Sequence, residues 1–552
     1  MVVLETQLSQ LQQLVDKQLT IDKLENTLFT LGFELEEVEG DDIKIDVTPD
    51  RLDVLSTQGL ARALRAYLSK DLKTPTYERN KSSYKVIVDD SVLSVRPATA
   101  CAVVKGLKLT DQFIKDIIWV QEKLHATFGR NRARSAIGIY PLEKITWPIT
   151  FCAKKPKQIH FRPLEAKNPM YGDEILTKHP TGKEYAHLLE GKKVFPLFID
   201  AKDEVLSLPP IINSHALGKV TTQTTDVFIE ASGSDFKIQS EVLTLLTTML
   251  AEMGGTIYGV DVVYGEKTEH TPYLAPIEKT ITPMYVKEIL GVDLPAKEIA
   301  TLLQRMMYGI VSVKANEVVV TVPPFRLDIW HDIDVVDDVL RAYGINNIEL
   351  TIPQVATHAM ELPENKLQET IRDLLVGLGL NEIKTLAVTD KVQQFDMMGL
   401  PQGDHVKLGS VAEKSINMLR SWLLPESLKF LAVNQNRSYP HRIYEVGDVV
   451  VPDNSLDVTA RNKNHCCICL SDDGVTFTHI KQVVVYLIET LQLPLEIETG
   501  HHKSFVPGRC ASLRFGKKEI GFFGEVHPSV LETYKLQTPV VAAEFETTVL
   551  VK

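Results

Sequence analysis

A short phrase occurs twice in this chain, and only the second copy is followed by a run of carboxylates. Val47-Thr-Pro49-Asp-Arg51-Leu52-Asp53-Val54 returns 275 residues later as Val322-Pro-Pro324-Phe-Arg326-Leu327-Asp328-Ile329. Asp332, Asp334, Asp337 and Asp338 come next. Hard carboxylate oxygens at this density suit magnesium, which is held by a few carboxylates and keeps several waters. They suit the cationic face of another chain equally well. Asp334, Asp337 and Asp338 fall at i, i+3 and i+4, so a helix sets them on one face. Acidic residues in a first helical turn also offset its positive end, and spacing alone leaves all three readings open. The first copy continues Ser56-Thr-Gln-Gly and lacks the acidic run. The shared Arg-Leu-Asp therefore reads as structural in both, with Arg51 and Arg326 satisfying nearby carboxylate or backbone groups.

Two further clusters carry chemical side chains. Arg130, Arg132 and Arg134 follow Gly129, and the planar guanidinium matches phosphate oxygens; a solvated loop is the alternative. His465-Cys466-Cys467-Ile468-Cys469 holds metal-ligand types. In a strand, however, Cys467 and Cys469 share one face and Cys466 takes the other, whereas structural zinc sites favour C-x₂₋₄-C spacing. Buried, reduced cysteines are expected.

The elements that must position these residues divide 552 positions into three or four domains, at roughly 100–200 residues each. Apolar residues make up 44% and charged residues 24%, as in a globular protein. A net charge of −12 argues against a surface that binds nucleic acid everywhere. Yet residues 101–162 hold twelve Lys/Arg against four Asp/Glu, a local net of +8. Met1 to Thr20 reads as an amphipathic helix, with Leu4, Leu8, Leu11 and Val15 on one face. It has no cleavable apolar block, and no run is long enough to cross a membrane, so a cytoplasmic protein is expected.

Residues 1–75 are predicted as helix, helix, strand, helix, and Pro75 to Ser83 as a polar linker. Residues 84–264 form a mixed region. Its strands are expected near Ala100–Lys105, Ala136–Ile139, Val194–Ile199 and Val227–Ile229, and its helices near Thr110–Phe128 and Ser240–Met253. Residues 270–350 hold the second copy, and 356–552 the last domain. This order fits an α+β multidomain chain better than a doubly wound parallel sheet.

Several stretches, in order and spacing along essentially the whole chain, resemble the phenylalanyl-tRNA synthetase β subunit in its shorter archaeal and eukaryotic form. They are Thr48-Pro-Asp-Arg-Leu-Asp-Val-Leu-Ser56, Gln121-Glu-Lys-Leu-His125, Ala136-Ile-Gly138, Lys178-His-Pro-Thr-Gly-Lys-Glu-Tyr-Ala-His187 and Pro209-Pro-Ile-Ile-Asn-Ser214. Met418-Leu-Arg420, Tyr444-Glu-Val-Gly447 and Gly524-Glu-Val-His-Pro528 continue the series.

The resemblance implies repeated helix/strand modules flanking an editing domain that hydrolyses tyrosyl-tRNA(Phe), lined by Asn213, Ser214, Asp226 and Glu230. It implies tRNA contacts in the basic island, at Arg130, Arg132 and Arg134. It also implies a magnesium ion on Asp328, Asp334, Asp337 and Asp338, the third normally Glu, near the contact with an α subunit. The last domain resembles a class II synthetase fold without its catalytic motifs: Arg420 and Arg442 remain as strand arginines, but no G-x-G-x-x-R segment follows. ATP-dependent charging then belongs to the α subunit of an (αβ)₂ tetramer. A stand-alone hydrolase of mischarged tRNA and a non-enzymatic RNA-binding scaffold are the rival readings.

Overall fold

A computed structural model describes residues 2–69, 72–410 and 416–551. The chain divides into two compact units, residues 1–352 and 353–552, both mixing helices with sheets. Among the described residues no helix is long and apolar enough to cross a membrane.

The first unit begins and ends with the same small fold. The strand Val2–Gln7, helices Leu8–Val15 and Ile21–Leu31, strands Glu34–Glu39 and Asp42–Val47, and helix Thr57–Leu68 form the first copy. The second is Ile277–Ile281, Pro283–Leu290, Ala296–Arg305, Gly309–Lys314, Glu317–Val322 and Asp332–Tyr343. In each, the third strand lies between the other two. Most boundaries recur at an offset of 275, as does a bulge, Leu35/Glu37 in one and Ile310/Ser312 in the other. The duplication first visible in one phrase thus spans a whole module.

The expected opening helix is corrected: Val2–Gln7 is a strand and only Leu8–Val15 is helical. Val2, Leu4 and Thr6 are buried in alternation against Asp42–Val47. That period of two overlaps the helical spacing of Leu4, Leu8 and Leu11, so tertiary pairing decides between them.

The copies pack reciprocally. Helix Thr57–Leu68 meets Ala296–Arg305, and helix Asp332–Tyr343 meets Ile21–Leu31. Such exchange of equivalent contacts is the logic of a two-fold dimer, here within one chain. Leu28, Leu60, Leu64, Ile299, Leu303 and Val336 share one apolar core. The polar stretch 75–83 is packed rather than loose: Tyr77 meets Phe325 edge-on at 5.9 Å, and Asn80 bridges to Tyr258.

A ten-stranded sheet lies between the copies in sequence. Val227–Gly233, buried throughout, runs antiparallel between Ala98–Lys105 and Ser135–Pro141. One face of these strands (Ala100, Ala102, Ile137, Ile229) joins the core built with helices Asp111–Ala126 and Phe236–Glu252. Alternation sends Glu230 to the other face, beside Gly138 on the neighbouring strand.

In the second unit a seven-stranded sheet is built on the long hairpin His441–Pro452 and Ala460–Ser471. It is antiparallel apart from one short edge strand, Asn381–Glu382. Cys466 faces the core beneath helices Pro363–Gly377 and Phe477–Thr490, while Cys467 and Cys469 face the core under Leu424–Val433. Cys466, Cys467 and Cys469 are free and buried, as the alternation implied, and so are the other three cysteines.

Candidate functional site

A cavity of about 210 Å³ opens over the polar face of Val227–Gly233. Ser207, Asn213, Glu230, Arg132, His125 and His179 line it, with the Pro209–Ile212 turn as one wall. Glu230 is 2% exposed. Tyr140 Oη lies 3.1 Å from Glu230 Oε1 and 3.3 Å from Asn213 Oδ1. Burial raises the Tyr140 phenol well above its ordinary range, so it stays protonated and donates to one acceptor at a time.

Glu230 Oε2 is buried and has no partner. Burial raises this carboxyl to about 7, against the opposing pull of Tyr140 and the Arg96 charge. An unpaired buried carboxylate oxygen is costly unless a donor arrives. Gly138 makes room for the arrangement: a Cβ there would stand 2.0 Å from Tyr140 Oη and 2.6 Å from Glu230 Oε1.

Three other polar atoms of the lining residues are also unpaired: Ser207 Oγ, His179 Nδ1 and Arg132 Nε. His179 Nε2 lies 3.2 Å from the Leu164 carbonyl. A carbonyl only accepts, so Nε2 carries a proton and, in the neutral ring, Nδ1 is the acceptor. His125 is engaged differently: Nε2 accepts the Ile137 N–H at 2.8 Å, and Nδ1 meets Glu122. Sequence reasoning missed His179 and His125 as cavity residues, and Tyr140 as the buried partner of Glu230. His179 and His125 lie in quoted stretches, but nothing in their spacing showed that they converge.

Of the four expected pocket residues, Asn213 and Glu230 line the cavity, and Ser214 and Asp226 do not. Ser214 Oγ accepts the Leu217 N–H, and Asp226 Oδ1 accepts the Gly106 N–H, so both brace turns. The arginines also separate. Arg130, Asn131 and Arg132 form a left-handed turn with φ of 48°, 51° and 67°. That turn directs Arg132 to the Ile211 carbonyl, to Glu122 and over the Tyr185 ring. Arg132 is therefore a cavity wall. Arg134 lies over Phe128, and Arg130 is exposed.

The acidic positions do not converge. Arg326 binds Asp328 and Asp338, each at 2.7 Å, with all three buried or nearly so. Burial opposes the Arg326 charge, but the two carboxylates outweigh it and raise its pKa well above the ordinary value. Tyr308 Oη also donates to Asp338, at 2.7 Å. Asp334 Oδ2 accepts the Trp330 and His331 N–H groups, 2.7 Å each, and caps its helix. Asp337 pairs with Arg341. Among the described residues no group of three or more His, Cys, Asp or Glu is placed to hold a metal ion. These four side chains do not fit one magnesium, since two are committed to a buried arginine and one to a cap.

In the second unit Arg420 is 2% exposed. It binds Glu445 at 2.8 Å, Thr385 Oγ1 at 2.7 Å and the Asp448 carbonyl at 2.9 Å. Its donors are committed inside the protein. Arg420 follows the short strand Met418–Leu419 and is not itself in a strand as expected, whereas Arg442 lies on strand His441–Pro452 and is exposed.

Comparison with known proteins agrees with this anatomy. Residues 279–345 match the tRNA synthetase B5 domain, and 348–547 match the phenylalanyl-tRNA synthetase β chain CLM domain. The phenylalanine–tRNA ligase β subunit of Pyrococcus furiosus is 38% identical over 541 residues, 97% of each chain. That of Archaeoglobus fulgidus is 36% identical over 528 residues, 95% of this chain and 94% of the other. A crystal structure of an N-terminal fragment of the Pyrococcus horikoshii β subunit is 37% identical, with a TM-score of 0.60, covering 62% of this chain and 99% of the fragment. The chain belongs to the phenylalanine–tRNA ligase β-subunit family, a component of an aminoacyl-tRNA ligase.

Proposed function

We propose that this cytoplasmic β subunit supports ATP-dependent charging of tRNA(Phe) on an α subunit, in an (αβ)₂ assembly, and hydrolyses tyrosyl-tRNA(Phe) in the cavity over Glu230. The unpaired Glu230 Oε2 carries the reading. A charging pocket for phenylalanine cannot strongly reject an analogue that adds one hydroxyl, whereas a site built to bond that hydroxyl can. A tyrosyl phenol donates to Oε2, and phenylalanine has nothing to donate. Tyr140 holds the carboxylate through Oε1, and Gly138 leaves room for that contact.

Hydrolysis follows from positioning. His179 Nδ1 accepts a proton from a water whose oxygen bonds to the ester carbon. The ester C–O bond breaks, and the proton passes to the departing ribose oxygen. Ser207 Oγ bonds neither histidine, so the hydroxyl orients rather than attacks. Exposed Arg130, two residues before Arg132 of the cavity wall, meets tRNA phosphate, in the part of the chain with net +8. ATP and its magnesium act on the α subunit.

The α subunit docks on the second module, and the internal repeat supports this. In the first module Leu55 and Gln58 are each 1% exposed, and Gln58 Nε2 donates to Asp116 of helix Asp111–Ala126. Their equivalents, Trp330 and Ile333, are 76% and 48% exposed. A face covered in one copy is open and more apolar in the other, which is how a partner site looks.

The test compares wild type with Glu230→Ala and His179→Ala after co-expression with an α subunit. Loss of tyrosyl-tRNA deacylation with phenylalanine charging intact supports the reading. Undiminished deacylation in both variants refutes it.

A further inference from the structure

Outside the site above, the second unit holds a cleft of about 200 Å³ lined by Trp422, Phe505, Phe522, His465, His502 and Glu544. Both imidazoles are held in known tautomers by groups that can bond in only one sense. Glu544 accepts the Leu423 and Leu424 N–H groups at 2.8 and 2.7 Å, one through each carboxyl oxygen. His465 Nδ1 lies 2.8 Å from the same carboxylate, so Nδ1 donates. When the ring is neutral, Nε2 is an acceptor.

His502 is the complement. The Ser504 N–H donates to His502 Nδ1 at 3.3 Å, so the proton of the neutral ring sits on Nε2. Burial lowers the proton affinity of His502 and favours the neutral ring. Its ring is enclosed by Phe522 at 4.7 Å, Phe505 at 5.5 Å and Trp422 at 5.6 Å. The cleft thus combines aromatic walls with one imidazole acceptor and one imidazole donor. No lysine or arginine lines it among the described residues, so a carboxylate or phosphate finds no counter-charge there.

We propose that this cleft binds a planar nitrogen heterocycle of the nucleobase class, which donates an N–H to His465 Nε2 and accepts from His502 Nε2–H. The walls supply stacking, and the two imidazoles supply selectivity for a ring that carries both a donor and an acceptor. The volume suits one ring system, with any sugar or phosphate left outside. This site is independent of the editing assignment, since it lies wholly in residues 353–552.

The test uses the full-length chain and ligand-observed saturation-transfer NMR with adenine as the probe, then adenosine and AMP as competitors. His465→Asn keeps a donor for Glu544, and His502→Asn keeps an acceptor for Ser504, while each deletes Nε2. The expected result is saturable adenine binding that weakens about tenfold or more in each variant, with thermal unfolding unchanged. Competition by AMP identifies a nucleotide ligand, and its failure identifies the free base or nucleoside. Absence of saturable binding, or equal binding in wild type and either variant, overturns the proposal.

Discussion

Arg326 and Asp338 form a buried ion pair of 2.7 Å that has no counterpart in the first module. There Arg51 holds Asp53 alone, at 2.8 Å, and Ala63 occupies the position equivalent to Asp338. The aromatic ring next to each guanidinium is nevertheless kept, Phe33 at 5.5 Å and Tyr308 at 5.8 Å. The Arg326 charge also contributes to lowering the Asp53 carboxyl, after Arg51 and against burial. The two copies therefore share one electrostatic network as well as one core.

Removing Asp338 leaves Arg326 under-compensated in the interior. Asp338→Ala should cost about 3–5 kcal/mol, the usual penalty for breaking a buried pair. Asp337→Ala, which breaks a half-exposed pair with Arg341, should cost under about 1 kcal/mol. Urea unfolding of the full chain checks both.

Asp334 acts as a cap. Asp334→Ala should cost about 1 kcal/mol, and magnesium should not shift the melting temperature of the isolated chain with or without the substitution. A magnesium-dependent rise that Asp334→Ala abolishes would restore the metal site.

Glu230 makes stability fall as pH rises. Its carboxyl is raised from 4.5 to about 7 in the folded chain. Between those values the folded state binds more protons than the unfolded state, so ionisation destabilises the fold. The loss should be on the order of 3 kcal/mol from pH 4.5 to 7. Glu230→Gln should flatten that part of the pH–stability curve. Tyrosyl-tRNA deacylation should rise as Glu230 ionises near pH 7, and a flat profile would remove the carboxylate from the mechanism.

Gly138→Ala should disturb the cavity over Glu230, because the new methyl meets both Tyr140 Oη and Glu230 Oε1. Deacylation is expected to fall at least tenfold, at a stability cost of about 1–3 kcal/mol, while charging by the co-expressed complex is kept.

Arg420 and Glu445 supply a test in the second unit. Arg420→Ala should cost about 3–5 kcal/mol, and adding Glu445→Leu should recover part of it, because the orphaned charge is then gone. A double-mutant cycle showing strict additivity would contradict the pairing.

Trp330→Ala combined with Ile333→Asp should abolish co-purification with an α subunit and leave thermal unfolding within about 1 kcal/mol of wild type, as expected for exposed positions. Retained co-purification would place the docking face elsewhere.

The sequence by itself determined whatever is carried by local order. The Arg-Leu-Asp repeat, the alternation that separates Cys466 from Cys467 and Cys469, and most helices of the central region are periodic or linear signals, and they survive without neighbours. Tertiary structure alone decided what depends on which side chains meet. It made Val2–Gln7 a strand, because its pairing partner lies some forty residues on, at Asp42–Val47. It assigned the four aspartates to an arginine, a cap and a surface pair, because carboxylate spacing along a helix does not reveal the cation opposite. It gathered Glu230, His125, Asn213 and His179 at one cavity from four separated segments, and it left Ser214 outside although Asn213 is its chain neighbour. Adjacent residues in extended backbone point to opposite sides, so contact in space is set by the sheet and not by the order of the chain.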